Sequence, residues 1–182
     1  MNTEYECRLL EVNVKEFCDK LNKCGAKFVG DWLQMRYCYD FNPVQENSWI
    51  RLRTNGKETT LTIKEIKDKT ISGTKELEVI VSNFEDTDAI LNKLGYVARS
   101  KQENRRIRYI LNNVEIDVDI WPLIPAYVEF EGKNEEDIKS VCELLGLNYE
   151  ELTTLDVDNI FKSYGIDLAN HPILVLEEEK KN

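Results

Sequence analysis

Residues 116–132, "IDVDIWPLIPAYVEFEG", alternate polar and apolar side chains on both sides of a turn that contains two prolines. Side chains alternate along a strand, so Asp117 and Asp119 share one face, as do Glu129 and Glu131 on the returning strand. Two such strands paired in one sheet bring four carboxylates together. Like charges at this separation repel each other unless cations lie between them. The stretch therefore predicts a strand pair whose acidic face needs cations.

The same alternation of charged and apolar residues recurs along the rest of the chain. Arg51 and Arg53 flank Leu52, for example, and the dipeptides "NG" at 55–56 and "NN" at 112–113 are typical of hairpin turns. We expect about eight strands, joined mostly by hairpins and therefore antiparallel. The first begins at Glu4, and the others cover about 27–41, 48–54, 58–66, 75–82, 97–111, 114–121 and 126–132.

Three amphipathic segments end at Gly25, Gly95 and Gly146, as helices commonly do. Asn13 and Glu16 form a capping pair ahead of the first helix. A strand, a helix and a strand follow one another in each half, which predicts a pseudo-symmetric closed sheet. Amphipathic helices need the apolar strand faces, so the charged faces line the interior. The predicted fold is α+β and mainly antiparallel β: an eight-stranded closed barrel with a charged interior and helices packed outside.

Composition narrows the class of protein further. The chain has 182 residues, of which 42% are hydrophobic, enough for one domain with its own core. The formal net charge of −10 argues against general nucleic-acid binding. No apolar run approaches the roughly 20 residues that span a bilayer, and the N-terminus lacks signal-peptide features. Five scattered cysteines without a CxxC motif indicate reduced thiols. We therefore expect a cytoplasmic protein without a membrane partner.

An interior lined by basic side chains on some strands and carboxylates on others fits a polyphosphate with its metal ion. Arginine and lysine suit phosphate oxygens, and clustered carboxylates suit a hard cation such as Mg²⁺ or Mn²⁺. We expect Asp119, Glu129 and Glu131 to hold metal against the phosphates. The sequence has no glycine-rich phosphate loop, so side chains must bind the phosphates.

The short motifs, taken in order, resemble the CYTH superfamily of triphosphate tunnel metalloenzymes. The family hallmark Glu-x-Glu-x-Lys is similar to "EYECR", in which arginine replaces the lysine. The matches that follow are "RLR", "LTIK", "KELE", "QENRRIRY" and the closing "DIWPLIPAYVEFEG". The resemblance spans about residues 4–147. It implies an eight-stranded antiparallel tunnel that binds triphosphate and one or two Mg²⁺ or Mn²⁺ ions.

The resemblance also assigns residues to roles. Arg8, Glu4 and Glu6 are the implied catalytic residues. The implied triphosphate-binding residues are Arg8, Arg51, Arg53, Lys64, Arg106 and Arg108. The implied metal ligands are Glu4, Glu6, Asp119, Glu129 and Glu131, with Glu76, Glu78 and Asp117 as additional acidic lining. The family lysines are replaced by Arg8 and Asn104, and Arg108 is a candidate to supply the charge lost at Asn104.

Three functions fit this constellation. The first is hydrolysis of tripolyphosphate, of ATP or another nucleoside triphosphate, or of thiamine triphosphate. The alternative is an adenylyl cyclase of class IV type, which makes cyclic AMP and pyrophosphate from ATP. The second alternative is a module that binds triphosphate without turnover, a possibility that the replacements at Arg8 and Asn104 permit. We favour hydrolysis because it needs only the tunnel.

We divide the chain into a tunnel domain (1–148), a helical extension (149–176) and a disordered tail (177–182). The extension contains one helix, capped by Asp156 and ended by Gly165. We expect this helix to pack on the barrel, with a plug in one tunnel mouth or a homodimer contact as alternatives.

Overall fold

The computed structural model describes residues 1–177 and consists of strands with short helices between them. The strands are β1 (Asn2–Leu9), β2 (Lys27–Tyr39), β3 (Ser48–Thr54), β4 (Thr59–Ile66), β5 (Thr74–Val81), β6 (Ala98–Leu111), β7 (Val114–Ile120), β8 (Tyr127–Gly132) and β9 (Ile173–Leu174). The first eight lie within a few residues of the predicted bounds. The short β9 was not predicted.

Strands β1 to β8 close into an antiparallel barrel. Their order is β2, β3, β4, β5, β1, β8, β7 and β6, and β6 pairs again with β2 from Lys27 to Tyr39. The hairpin turns use positive φ angles at Gly56 (81°), Asn112 (49°) and Asn113 (65°), where glycine and asparagine are tolerated best. Strand β9 adds to β6 in parallel. The predicted eight-stranded closed barrel is confirmed.

Four helices lie outside the barrel: α1 (Val14–Lys23), α2 (Phe84–Lys93), α3 (Glu135–Leu144) and α4 (Val157–Ser163). Each begins after a side chain that accepts a backbone N–H: Asn13, Asn83, Asn134 or Asp156. Helices α1 and α3 bury apolar residues in one cluster with the outer faces of β1, β6, β7 and β8. Helix α2 contributes Phe84 and Leu91 to a second cluster with β2 and β3. The apolar strand faces are thereby used, and the charged faces point inward.

The C-terminal segment packs against one end of the barrel. Ile160 and Phe161 of α4 share a buried cluster with Trp121 and Tyr127, which lie where β7 ends and β8 begins. The rings of Trp121 and Phe161 meet edge to face with centroids 5.7 Å apart. We call this the covered end, and the opposite one, where β2 begins and β3 ends, the mouth. Of the predicted tail, residues 178–182 lie outside the described residues.

Within residues 1–177 no helix has both the length and the apolar character needed to cross a membrane.

Candidate functional site

The barrel interior is lined by charged and polar side chains that are almost fully buried. Those at most 8% exposed are Glu6, Arg8, Gln34, Arg36, Arg51, Thr60, Thr62, Gln102, Asn104, Arg106, Asp117, Asp119 and Glu129. They occupy alternate strand positions, opposite the apolar residues that pack under the helices. Burying so much charge is costly unless each group is paired. The ion pairs therefore show which buried charges are compensated within the protein and which need a ligand of opposite charge.

Arg106 is surrounded by carboxylates. It donates to Asp119 at 2.8 and 2.6 Å, to Asp117 at 2.6 Å and to Glu129 at 3.2 Å. Although burial alone would lower its pKa, these three carboxylates raise the pKa of Arg106 well above the usual value. Arg108 forms a two-pronged contact with Asp117, at 2.7 Å through each nitrogen. This part of the interior is already balanced in charge.

Arg8, an implied catalytic residue, is held on three sides. Its guanidinium donates to Glu129 at 2.9 Å, to Glu6 at 2.8 Å and to the carbonyl oxygen of Leu155 in the C-terminal segment at 2.9 Å. Burial opposes its charge, but Glu6 and Glu129 raise the pKa of Arg8 above that of a free arginine. A guanidinium in this setting keeps its proton. Its hydrogen bonds to Glu6 and Glu129 hold these two carboxylates in fixed orientations.

A second group of arginines, Arg36, Arg51 and Arg53, has far fewer counterions. We call it the arginine cluster. Within residues 1–177, Arg36 makes no ion pair: its guanidinium donates to the amide oxygens of Gln34, at 3.3 Å, and Asn104. Arg51 reaches Glu76 and Glu78 only at 3.4 Å, and Arg53 reaches Glu78 only at 3.7 Å.

The electrostatics of the arginine cluster follow from this shortage of carboxylates. Burial and the neighbouring Arg51 and Arg106 lower the pKa of Arg36 to about 10. Burial together with the same neighbours and Arg36 lowers the pKa of Arg53 to about 9. The Nε atoms of Arg36 and Arg51 are buried and have no hydrogen-bond partner among the described residues. The cluster is therefore a concentration of incompletely neutralised positive charge, which a bound anion would compensate.

Asn104, which stands where the family has a lysine, is hydrogen-bonded both to one of the carboxylates around Arg106 and to the arginine cluster. Its Nδ2 donates to Asp119 Oδ1 at 2.9 Å, while its Oδ1 accepts from Arg36. The guanidinium of Arg36 lies 4.5 Å from the ring centroid of Trp121, a cation–π contact. Arg36 is therefore the cation in contact with Asn104, whereas the predicted substitute, Arg108, is bound to Asp117 and Glu115.

A group of carboxylates elsewhere in the interior, including Glu4, Glu76 and Glu131, shares too few cations. Lys64 contacts Glu4 at 3.0 Å and Glu76 at 2.8 Å. Burial, followed by the neighbouring Glu76, raises the pKa of Glu4 to about 8 despite Lys64. Although burial opposes it, Lys64 and Arg51 lower the pKa of Glu76 to about 2. Burial and Glu129 raise the pKa of Glu131 to about 7. A cation near Glu4 and Glu131 would keep both ionised.

These carboxylates provide the test of the predicted metal site. Glu6 and Glu131 are direct cross-strand partners, and like charges in that position destabilise a sheet. Their oxygens are the hard ligands that Mg²⁺ and Mn²⁺ prefer. No group of three potential ligands is gathered closely enough to hold a metal ion in the described part of the chain. By their chemistry Glu4, Glu6 and Glu131 fit a divalent ion: Glu131 makes no ion pair among the described residues, where Glu4 pairs only with Lys64 and Glu6 only with Arg8. Asp119 and Glu129 are held more fully, by Arg106 and, for Glu129, also by Arg8.

Sequence reasoning missed several interior residues, of which Arg36 is the most important. Gln34 and Arg36 alternate with Met35 and Tyr37 on β2, the same signal that identified Arg51 and Arg53. The sequence pattern placed Thr60 and Thr62 on the polar face of their strand with Lys64 but assigned them no role. Thr62 is fully buried and donates to Glu78 at 2.7 Å.

Comparisons with known proteins agree with this architecture. A family model described as the CYTH domain matches residues 2–164. No curated protein matches the chain. The PH1012 protein from Pyrococcus horikoshii has 27% identity and a TM-score of 0.72, covering 84% of this chain and 96% of that chain. A conserved hypothetical protein from Pyrococcus furiosus has 24% identity and a TM-score of 0.72, with coverages of 85% and 98%.

HpAC1 from Hippeastrum, described as having a dominant triphosphatase activity, shares the fold at 14% identity and a TM-score of 0.60. The alignment covers 88% of this chain and 96% of that chain. The family model spans nearly the whole chain, and the closed barrel and charged interior agree with it. This chain therefore belongs to the CYTH domain family.

Proposed function

We propose that this protein is a divalent-metal-dependent triphosphatase that hydrolyses a triphosphate bound inside the barrel. The observation that carries the proposal is the arginine cluster: among the described residues the only carboxylates that its three guanidinium groups, two buried and that of Arg53 partly buried, contact are those of Glu76 and Glu78, at 3.4–3.7 Å. Beside it lie Glu4 and Glu131, whose pKa values are raised by burial, with too little positive charge near them. A polyphosphate with its metal ion supplies both missing charges at once. Triphosphate tunnel enzymes in general depend on divalent metal ions, and the dominant triphosphatase activity described for HpAC1 is consistent with the proposal.

In the proposed reaction the chain's own side chains bind and orient the phosphates. Arg36, Arg51 and Arg53 neutralise phosphate oxygens, the main requirement for phosphoryl transfer. Glu4, Glu6 and Glu131 would hold the divalent ion. Such an ion, when bound, polarises phosphoryl oxygens and lowers the pKa of water.

Arg8 is a positioning residue in this proposal. Its bonds to Glu6 and Glu129, both implied metal ligands, fix the rotamers of these two side chains. Enclosure by the barrel excludes bulk water, which strengthens every charge interaction inside.

A binding module without turnover remains the second candidate, because one observation favours it. Where the family hallmark has lysine, this chain has Arg8, whose guanidinium is occupied by Glu6, Glu129 and the carbonyl oxygen of Leu155. An Arg8→Lys variant separates the two functions. A large gain in turnover at unchanged triphosphate affinity would identify a natural binder, whereas measurable wild-type turnover that the variant only equals or lowers supports the hydrolase.

The decisive experiment offers tripolyphosphate, ATP and thiamine triphosphate separately, with Mg²⁺ or Mn²⁺, and resolves orthophosphate, pyrophosphate and cyclic AMP by chromatography. We expect orthophosphate, and its loss in Glu131→Gln. The matched control is Glu103→Gln, which changes the outer face of β6 and is expected to keep full activity. Cyclic AMP with pyrophosphate would instead establish the adenylyl cyclase. Absence of all three products would overturn the enzyme proposal.

We place this activity in the cytoplasm. All five cysteines are free, which fits a reducing compartment. Its partner in this proposal is the triphosphate-bearing small molecule itself.

A further inference from the structure

The mouth of the barrel contains a cavity of about 240 Å³, which adjoins the proposed phosphate site at Arg53 and otherwise has no assigned ligand. It lies where β2 begins, β3 ends and β4 begins. Trp32, Gln34, Arg53, Thr60, Glu78 and Arg108 are among its lining residues. Pockets that enclose a whole drug-sized ligand have roughly 300 to 1,000 Å³. This cavity therefore suits a single ring system rather than a complete nucleotide.

Trp32 is the only aromatic residue that lines this cavity in the described structure. It is half-buried and follows the same inward-facing alternation as Gln34 and Arg36. The indole ring lies directly over Gly30: a Cβ added at Gly30 would come within 2.0 Å of the ring. Glycine is therefore required here for the ring to rest on the backbone.

The indole ring of Trp32 takes part in no stacking, cation–π or core-packing contact among the described residues. Among residues 1–177, no aromatic ring or cation stacks on Trp32. Buried tryptophans used for packing contact a hydrophobic cluster, as Trp121 does. Trp32 belongs to none of the three apolar clusters of the described residues. A large planar surface is thus held in place at the edge of a charged site.

Polar groups next to the ring are placed to orient a ligand. Gln34 is 5% exposed and lines the cavity. Its Oε1 accepts from Arg36, and within the described chain its amide nitrogen donates no hydrogen bond. Arg53, the outermost member of the arginine cluster, lines the same cavity. A ligand stacked on Trp32 would therefore lie next to the free amide N–H of Gln34 and the guanidinium of Arg53. Arg51 and Arg36 lie further inside the barrel.

We propose that the mouth cavity binds the aromatic heterocycle of the substrate by stacking on Trp32, so that the substrate is a heterocycle-bearing triphosphate such as ATP rather than inorganic tripolyphosphate. This inference rests on the proposed phosphate site and deepens it. The phosphate chain starts at Arg53 and runs inward along the arginine cluster. The heterocycle stays at the mouth, where Gln34 donates to a ring or phosphate acceptor.

The test compares the affinity for an ATP analogue, whose β–γ bridging oxygen is a methylene group, with the affinity for tripolyphosphate by calorimetry. Base–aromatic stacking is worth on the order of a tenfold change in affinity. We expect Trp32→Leu to lower the affinity for the ATP analogue about tenfold and to leave tripolyphosphate binding unchanged. Trp32→Phe keeps a ring and should retain most of the preference. Leu33→Ala, on the exposed face of the same strand, is the matched control.

Gly30→Ala provides a second, independent variant, because it displaces the ring without removing it. It should reduce the preference for the ATP analogue as Trp32→Leu does. An equal loss for both ligands, or no loss for either, in Trp32→Leu would overturn the inference. These binding measurements do not depend on turnover. If Trp32 determines the preference for the ATP analogue but no triphosphate is hydrolysed, the inference stands and the triphosphatase proposal is refuted. If triphosphate is hydrolysed but Trp32 has no effect on the preference, the triphosphatase proposal stands and the inference is refuted.

Discussion

Two arginines with the same burial occupy opposite electrostatic environments. Arg36 and Arg106 are each 5% exposed, yet Arg106 contacts three carboxylates and Arg36 contacts amide oxygens. Removing one partner of a buried ion pair destabilises the fold, because the other charge is left uncompensated. A buried charge that has no partner already lowers the stability of the folded protein. A residue kept at such a cost is a candidate for ligand binding.

The first prediction concerns Arg36→Met. Removing a buried, uncompensated cation should leave the free energy of unfolding unchanged or raise it. The same change should weaken tripolyphosphate binding at least tenfold, since a charge-assisted contact is worth about 1.5–3 kcal/mol. Urea unfolding and calorimetric titration measure the two effects. A destabilised variant that binds as well as the wild type would show that Arg36 is structural.

Arg106→Met is the matched control for that variant. It leaves Asp117, Asp119 and Glu129 buried together without their shared cation. We expect the free energy of unfolding to fall by about 3–5 kcal/mol. Similar stability of the two variants would contradict the division into balanced and unbalanced regions.

Residue-level prediction from sequence succeeded where alternation was strict and failed where it was interrupted. Arg51 and Arg53 were identified because each flanks Leu52. On β2 the inward residues Trp32, Gln34 and Arg36 do alternate with outward ones, but they share neither charge nor size, so that face lacked the uniform charge that marked Arg51 and Arg53. Which arginine lacks a carboxylate depends on contacts across the barrel, which a single sequence does not contain.

At the scale of elements, the helices and hairpins were predictable from local chemistry. The Asn13 side chain accepts from the Glu16 backbone as expected, and β3 begins and ends at the predicted residues, 48 and 54. The position of the C-terminal segment was not predictable. It depends on contacts between residues far apart in sequence, such as the bridge of Arg8 with Thr153 and the bond of Arg8 to Leu155.

The second prediction tests whether that segment is part of one cooperative unit. Phe161 is fully buried against Trp121. Phe161→Ala should lower the free energy of unfolding by about 3–5 kcal/mol, within a single transition measured by both fluorescence and circular dichroism. Lys162→Ala, exposed on the same helix, should change it by less than about 0.5 kcal/mol. Two separate transitions would show that the extension folds independently of the barrel.

For the whole molecule, closure of the sheet followed from the sequence because helices and apolar strand faces had to meet. The distribution of charge inside did not follow. We expected basic and acidic walls, whereas Arg8, Arg106 and Arg108 each face carboxylates on neighbouring strands. The remaining imbalance is local: the arginine cluster has too few carboxylates, and Glu4 and Glu131 have too few cations.

The third prediction follows from the carboxylate side of that imbalance. Mg²⁺ or Mn²⁺ that binds only the folded chain should raise its thermal midpoint progressively with metal concentration. Differential scanning fluorimetry at neutral pH, with and without EDTA, measures the effect. Glu131→Gln should reduce it, and Glu103→Gln should not. A midpoint that does not respond to either metal would argue against the proposed ligands.

Enclosure of the arginine cluster also governs how fast a ligand arrives. The chain as a whole carries a formal charge of −10, so a polyanion is repelled at a distance and attracted only once it enters the mouth. Salt screens the first interaction over a Debye length of about 10 Å at 0.1 M, but hardly weakens buried contacts. Moderate salt should therefore accelerate encounter and leave dissociation nearly unchanged, the opposite of the usual behaviour of oppositely charged partners. Stopped-flow mixing at increasing ionic strength would reveal this inverted salt dependence.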